Sequence, residues 1–313
     1  MRVARISVCQ FPVERMSGFE DFVRRVEGFL DQVPRDSHYV IFPELFTVGL
    51  LTTYPDAGRL CASDLTRIDE FTGRYRSLFQ EAAERRGQFI VAGSHLERRG
   101  GRYLNVAHVF TPDGRDLTHE KTHIFPAEAE WQTSEGDALQ VWDLGPAKVG
   151  LAVCYEAEIP EVSRILAVQG AEIVLCPSFT FSEYGFWRVR HCAQARCVEN
   201  QIYFVHCCTI GQPGPPLPSG FGRSSILSPC DTPWAPSGVV AEARTNEPMV
   251  VSGEVEIGTL YENREKGAAP TYRDRTRKAA MYRKYEPYGG ARRRPKTGLE
   301  AKRGPGSYAA DMG

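Results

Sequence analysis

The strongest constraint on this chain is the way its hydrophobic periodicity changes from segment to segment. RVARISVCQF, HYVIF, QFIVAGS, AKVGLAVC, AEIVLC and QIYFVHCCT are short apolar runs rich in β-branched residues, and they read as buried strands. Between them apolar residues recur at helical spacing: Phe19, Phe22, Val23, Val26, Phe29 and Leu30, then Ile68, Phe71, Tyr75, Leu78, Phe79 and Ala82. The second set predicts a helix over 65–86, with Asp64 as its N-cap and Gly87 as its stop. Two more helices are expected, from Pro160 to Gln169 ahead of Gly170, and over 186–200. Hairpin signals interrupt the alternation. YLNVAHVFT and RDLTHE flank Pro-Asp-Gly at 112–114, while RSSILS, GVVAEA and MVVSGEVE alternate like antiparallel strands after the loop GQPGPPLPSGFG. The expectation is an α/β fold with a mixed sheet, or two sheets packed face to face with helices outside.

Length and composition narrow the class. With 313 residues, 42% hydrophobic and 25% charged, the chain suits a soluble globular protein. No apolar run reaches the ~18 residues of a membrane span, and MRVARISVCQF lacks a signal peptide's apolar core, so a cytoplasmic protein is expected. The nine cysteines form no regular framework and no C-x-x-C pair, which fits reduced thiols and gives no support to a metal site. Residues 262–313 hold 14 Lys and Arg against 6 Asp and Glu, whereas the preceding residues hold 24 against 33. We therefore expect a main domain over 1–262 and a basic C-terminal tail over 263–313. The tail is partly helical in RDRTRKAAMYRKY and able to reach the acidic body within a subunit or across a dimer.

Three polar residues stand at strand ends. Glu44 follows HYVIF in FPELF, Lys121 follows RDLTHE in KTHIFPAE, and Cys154 ends AKVGLAVC in GLAVCYEAEIPE. Each alone has an ordinary structural reading, but ligand sites of α/β sheets gather where strands end. Together the three could converge.

FPELF, KTHIFPAE and GLAVCYEAEIPE resemble the three signatures of the nitrilase superfamily of carbon–nitrogen hydrolases. CPSFT and RVRHCAQARCVENQIYFV extend the likeness over roughly residues 1–260, and the tail after about Tyr261 shows no matching signature. The resemblance implies a four-layer α-β-β-α sandwich and a Glu44–Lys121–Cys154 triad. In that scheme Cys154 attacks an amide carbonyl, Glu44 takes and returns protons, and Lys121 stabilises the thiolate and the oxyanion. The backbone N–H of Tyr155 is the expected second oxyanion donor. Glu128, preferred over Glu130, is the supporting acid. No metal or organic cofactor is required.

Specificity is written less plainly. Tyr155 after the nucleophile, where nitrilases carry tryptophan, tilts the expectation from nitriles toward amides. By the same resemblance Phe179, Thr180, Tyr184, Phe186 and Trp187 fall where pocket residues belong, with Arg188 and Arg190 as candidate carboxylate ligands. Glu156, Glu161, His123 and His191 are expected to be structural. The leading reading is hydrolysis of a small non-peptide amide through a cysteine thioester. The alternatives are an N-carbamoyl amidohydrolase, a nitrilase or thioester acyl transferase, and a non-catalytic scaffold. The Arg run at 292–294 lacks the aromatic platform of a nucleic-acid site, so the expected partners are a small-molecule substrate and a second copy of the chain, with no nucleic acid or membrane.

Overall fold

Successive side chains of β1 (Val3–Gln10) point to opposite faces, and a computed structural model of the chain, describing residues 2–215 and 217–285, shows where each set goes. Ala4, Ile6 and Val8 enter one core and Cys9 another. The split recurs in β2 (Tyr39–Ile41), where Tyr39 and Ile41 join the first core and Val40 the second. It recurs again in β3 (Phe89–Arg99), with Val91 on one side and Ile90 and Ala92 on the other. α1 (Phe19–Leu30) and α2 (Thr72–Arg86) fill the second core from outside with Phe22, Val26, Leu30, Tyr75 and Phe79.

The first sheet continues through β4 (Arg102–Phe110), β5 (Asp116–Glu120) and β6 (Thr133–Ser134), the last two separated by the short helix α3 (Pro126–Glu130). The second sheet comprises β7 (Val141–Asp143), β8 (Lys148–Leu151), β9 (Ile173–Ser178), β10 (Tyr203–Cys208), β11 (Ser225–Leu227) and β12 (Val239–Glu242). Its strand order is β12-β11-β10-β9-β8-β7. β13 (Met249–Glu256) returns to the first sheet, whose order is β13-β1-β2-β3-β4-β5 with β6 beside β4. Both sheets are mixed: β1-β2-β3 and β8-β9-β10 run parallel, the other neighbours in these orders are antiparallel, and the short β6 runs parallel to β4. α4 (Pro160–Val168) and α5 (Glu183–Asn200) cover the second sheet, placing Val162, Leu166, Val189 and Ala193 in the core that also holds Ile6, Ile41, Leu151 and Val205. This is the expected α-β-β-α sandwich.

Some local expectations changed. Residues 65–86 do not form one helix: a 3₁₀ stretch over Ala62–Phe71 precedes α2. The break lets Leu65 and Ile68 enter a separate cluster with Leu45, Val48 and Leu51, while Tyr75 and Phe79 pack under the first sheet. Asp64 is not the N-cap; its carboxylate accepts the backbone N–H of Cys61 at 2.8 Å. Gly87 does end α2 in the left-handed region, with φ 65°. Phe46–Thr53 forms a 3₁₀ stretch that the apolar pattern did not separate from strand or loop. α5 begins at Glu183 because Ser182 caps it, accepting the Gly185 N–H at 3.3 Å.

Helix α6 (Ile257–Lys266) runs across position 262, and α7 (Thr271–Arg277) and α8 (Ala279–Tyr282) follow it. The rest of the basic segment, with the Arg run at 292–294, lies outside the described residues. Among the described residues no helix is long and apolar enough to cross a membrane.

Candidate active site

Glu44 owes its place to a bulge. The register of β3 against β4 shifts between Val91 and Ser94, around Gly93 with φ 64°. A Cβ at Gly93 would lie 1.8 Å from the Pro43 carbonyl oxygen, so only glycine lets the chain after β2 come this close. The next turn is pinned by the Leu45 N–H, which donates to the Ser94 carbonyl at 3.1 Å, with Leu45 itself at φ 47°. The Thr209 hydroxyl, just past β10, donates to the Glu44 carbonyl at 2.5 Å.

Lys121 stands one residue beyond β5. Its N–H donates to the Asn105 carbonyl and its own carbonyl accepts from Gly136, both at 2.9 Å. Glu128 sits in the first turn of α3, where its carboxylate accepts the Phe125 N–H at 2.8 Å as a helix cap. Cys154 lies beyond β8 rather than in it, at φ 49°, an unusual conformation for a residue with a side chain.

The side chains of these residues converge. Lys121 Nζ lies 2.8 Å from Glu44 Oε1 and 2.5 Å from Glu128 Oε2. Asn105 Nδ2 donates to Glu44 Oε1 at 3.0 Å and to Glu128 Oε1 at 2.9 Å. Phe179 N–H donates to Glu44 Oε2 at 2.8 Å, and the Phe179 carbonyl is 3.8 Å from Cys154 Sγ. All of these side chains are buried. Glu44, Lys121, Glu128 and Cys154 line one cavity with Phe125, Trp131, Tyr155, Phe179 and Phe181 as aromatic walls and Glu158 and Arg188 among its charged residues.

Burial sets the electrostatics. It raises the Glu44 carboxyl above the ordinary range; Lys121 pulls against the rise and Glu128 adds to it. It works against the Lys121 ammonium, yet Glu128, then Glu44 and Cys154, hold that ammonium well above its usual value. It pushes the Cys154 thiol well up, Glu44 adds to that, and Lys121 offsets only part. The cavity therefore favours the protonated thiol of Cys154, keeps the Lys121 ammonium charged, and gives Glu44 a carboxyl that takes up a proton more readily than an exposed one.

A second buried carboxylate ties the Cys154 turn to the Lys121 turn. Glu156 accepts the N–H groups of Val153 at 2.6 Å and Thr122 at 2.7 Å, the Thr122 hydroxyl at 2.5 Å, and His119 Nε2 at 2.8 Å. Burial works to raise its pKa, but His119 and Thr122 more than offset that and lower it. Expected to be structural, Glu156 is a bracket holding two site loops together.

Other residues singled out from the sequence divide clearly. Phe179, Thr180 and Arg188 line the cavity, with Arg188 Nε 3.3 Å from Glu158 Oε2. Trp187 is not in that lining; it packs on Phe186 and His191 and bonds Glu183. Tyr184 is exposed, Phe186 is buried against His206, and Arg190 is occupied by Ser225 and Glu242. Glu130 and Glu161 are exposed, and His123 bonds its neighbour Thr122. Sequence reasoning passed over Asn105. Its signal was a polar residue on the strand face that Ala107 and Val109 turn into the core. Among the described residues no cluster of three or more His, Cys, Asp or Glu is arranged to hold a metal ion.

Comparison with known proteins extends the picture. A family model described as Carbon-nitrogen hydrolase matches residues 5–264. The chain is 36% identical over 282 residues to "Probable hydrolase YhcX" of Bacillus subtilis, covering 87% of this chain but only 54%, about half, of that relative. It is 28% identical over 283 residues to "Omega-amidase NIT2-A" of Xenopus laevis, covering 87% of this chain and 95% of the relative. Among solved structures, a carbon-nitrogen hydrolase from Helicobacter pylori superposes with TM-score 0.73 at 21% identity, covering 91% of this chain and 99% of the other. A mutant of a Nesterenkonia amidase from the nitrilase superfamily gives 0.71 at 20% identity, covering 90% and 97%. These two likenesses are of fold.

Proposed function

This chain belongs to the carbon-nitrogen hydrolase family, and from that membership we propose that it hydrolyses the C–N bond of a small carboxamide through a thioester on Cys154. The carrying observation is that Cys154, Glu44 and Lys121 line one buried cavity, with Glu128 locked to the lysine.

The chemistry follows from the charges. As Cys154 Sγ bonds to the carbonyl carbon, its proton passes to Glu44 and the carbonyl π pair moves onto oxygen. Lys121, kept charged by two carboxylates, and the backbone N–H of Tyr155 stabilise that oxyanion. Collapse breaks the C–N bond, and Glu44 returns the proton to the departing ammonia or amine. Glu44 then takes a proton from water, which attacks the thioester; the acid is released and the thiol regains its proton. The aromatic walls favour a substrate with an apolar body, and Tyr155 after the nucleophile favours an amide over a nitrile. Relatives named as omega-amidases support the amide reading.

The assembly and setting belong to the same proposal. Ile165 and Val168 on α4 and Val198 on α5 are exposed apolar residues of the outer helical layer, which supports pairing of two copies there. All nine cysteines are free, Cys61 and Cys230 exposed among them, which supports a reducing compartment such as the cytoplasm. The basic segment after 262 is proposed to serve assembly rather than chemistry.

The test is incubation with a panel of carboxamides, N-carbamoyl compounds and nitriles, with ammonia and carbon dioxide measured and an intact-mass search for an acyl adduct. An adduct on wild type that is absent in Cys154→Ala, with ammonia from amides alone, supports the reading. Carbon dioxide alongside ammonia would move it to carbamoyl substrates. Full turnover by Cys154→Ala would end it.

A further inference from the structure

We propose that Asn105 is a positioning residue that leaves Glu44 its open basic position on Oε2, the oxygen that accepts the Phe179 N–H. The inference rests on the reading of Glu44 as general base.

Asn105 is fully buried on β4, in line with Ala107 and Val109, which pack into the apolar core. A polar side chain there needs a reason, and its amide nitrogen supplies one. Nδ2 reaches Glu44 Oε1 at 3.0 Å and Glu128 Oε1 at 2.9 Å, so both of its hydrogens go to carboxylates. Because both neighbours are acceptors, only the nitrogen can face them. Oδ1 has no hydrogen-bond partner among the described residues, so the side chain is held here for its nitrogen alone.

The consequence is a count of acceptor positions. A carboxylate oxygen accepts about two hydrogen bonds in its plane. Glu44 Oε1 takes Lys121 Nζ and Asn105 Nδ2 and is filled; Oε2 takes only the Phe179 N–H. One position remains, on the oxygen bonded to the residue whose carbonyl lies 3.8 Å from Cys154 Sγ. The thiol proton is thus directed to Oε2 as the S–C bond forms, and returns from Oε2 to the leaving nitrogen. The charged and titratable groups facing Glu44 are Lys121, Glu128 and Cys154, with Cys176 further off. Asn105 is an uncharged donor among them, and it offsets repulsion between the two carboxylates without competing for the proton.

The test uses the full chain with Asn105→Leu, similar in size but without a donor, and Asn105→Asp. The acid limb of kcat/KM, read on the most active carboxamide of the panel, should move up by about one pH unit in Asn105→Leu, because the ionised base has lost a donor. At pH values below the wild-type limb kcat/KM should fall roughly tenfold, with KM changed by less than about twofold, and the loss should shrink on the plateau above it. Asn105→Asp should move the limb further, since it adds a third carboxylate. If Asn105→Leu does not fold, Asn105→Ser is used, and the pH dependence of iodoacetamide alkylation is followed on the peptide carrying Cys154; the same upward shift is expected. A loss of activity with an unmoved acid limb would overturn the proposal and make Asn105 merely structural. If Glu44→Gln abolishes turnover while the Asn105 variants keep the wild-type limb, this inference alone fails. If Glu44→Gln turns over normally, the general-base reading fails with it.

Discussion

The backbone N–H of Phe179 donates to Oε2 of Glu44 at 2.8 Å, which joins the end of β9 to the turn after β2. No side chain is needed for this bond, so substitution of Phe179 would change the cavity wall while leaving the carboxylate anchored. A donor on a peptide bond also cannot titrate, and it holds the proposed base in one orientation at every pH where the fold persists.

Glu44→Gln keeps the shape and removes the basic oxygen. Turnover should fall by about 10²–10⁴-fold, the range of a lost general base. Single-turnover mixing with an amide, followed by intact mass, should show acylation slowed as strongly as steady-state turnover.

Lys121→Met leaves Glu44 and Glu128 buried without their shared cation. Breaking a buried ion pair on one side costs about 3–5 kcal/mol. Burial already raises the Glu44 carboxyl, and without Lys121 no cation opposes that rise, so the folded state holds an extra proton and loses stability as pH rises above the unfolded value, near 4.3. Denaturant midpoints of this variant should therefore lie further below wild type at pH 8 than at pH 5. An equal deficit at both would show that the carboxyls do not carry the penalty.

Two buried histidines set an acid limit on stability. Burial lowers His95 to about 4 and His206 to about 3, in the latter case with Arg190 adding to the effect. Below the unfolded value, near 6.5, the unfolded chain takes up protons that these rings refuse, so stability falls as pH drops toward their folded values. Each contributes a loss of about 2 kcal/mol at pH 5. His108 acts in the opposite sense: burial disfavours its charge, but Asp116 and Glu97 more than compensate and raise it, so its contribution is kept in acid and lost as pH rises through its folded value. Urea midpoints at pH 7.5 and 5 should show a net loss in acid, reduced in His206→Gln.

Gly93→Ala tests the bulge that delivers Glu44. With φ 64° and a Cβ 1.8 Å from the Pro43 oxygen, the turn must move. Activity should fall at least about tenfold, since displacement by about 1 Å is costly at a reacting group. The lost stability should exceed the ~1 kcal/mol of an unfavourable left-handed alanine. Wild-type activity in a folded Gly93→Ala would show that Glu44 tolerates displacement.

The four-layer sandwich was legible through the family resemblance; the apolar runs alone left a mixed sheet or two packed sheets open, because the central strands are apolar on both faces. Tyr39 and Ile41 against Val40 is the pattern in miniature, one face to each core. Glu44, Lys121, Glu128 and Cys154 were legible through family signatures, each with its local turn chemistry. What could not be read depended on distance in sequence. Asn105 acts on Glu44, 61 residues away, and nothing in YLNVAHVF announces that partner. Glu156 reaches Thr122 and His119 across more than thirty positions. The split of 65–86 was hidden for another reason: 3₁₀ and α turns both bring residues three apart onto nearly the same side, so one apolar stripe suits either.

The first sheet presents Glu44, Asn105 and Lys121; the second presents Cys154 and Phe179. Each half is chemically incomplete, the proposed base without its thiol or the thiol without its proposed base. On that proposal the buried Cys154 has its proton acceptor only after the layers have docked, so docking would also be the step that arms the thiol. A chain paused between hydrophobic collapse and final assembly would carry an inert thiol, and recovery of turnover during refolding would clock the last meeting of the two layers.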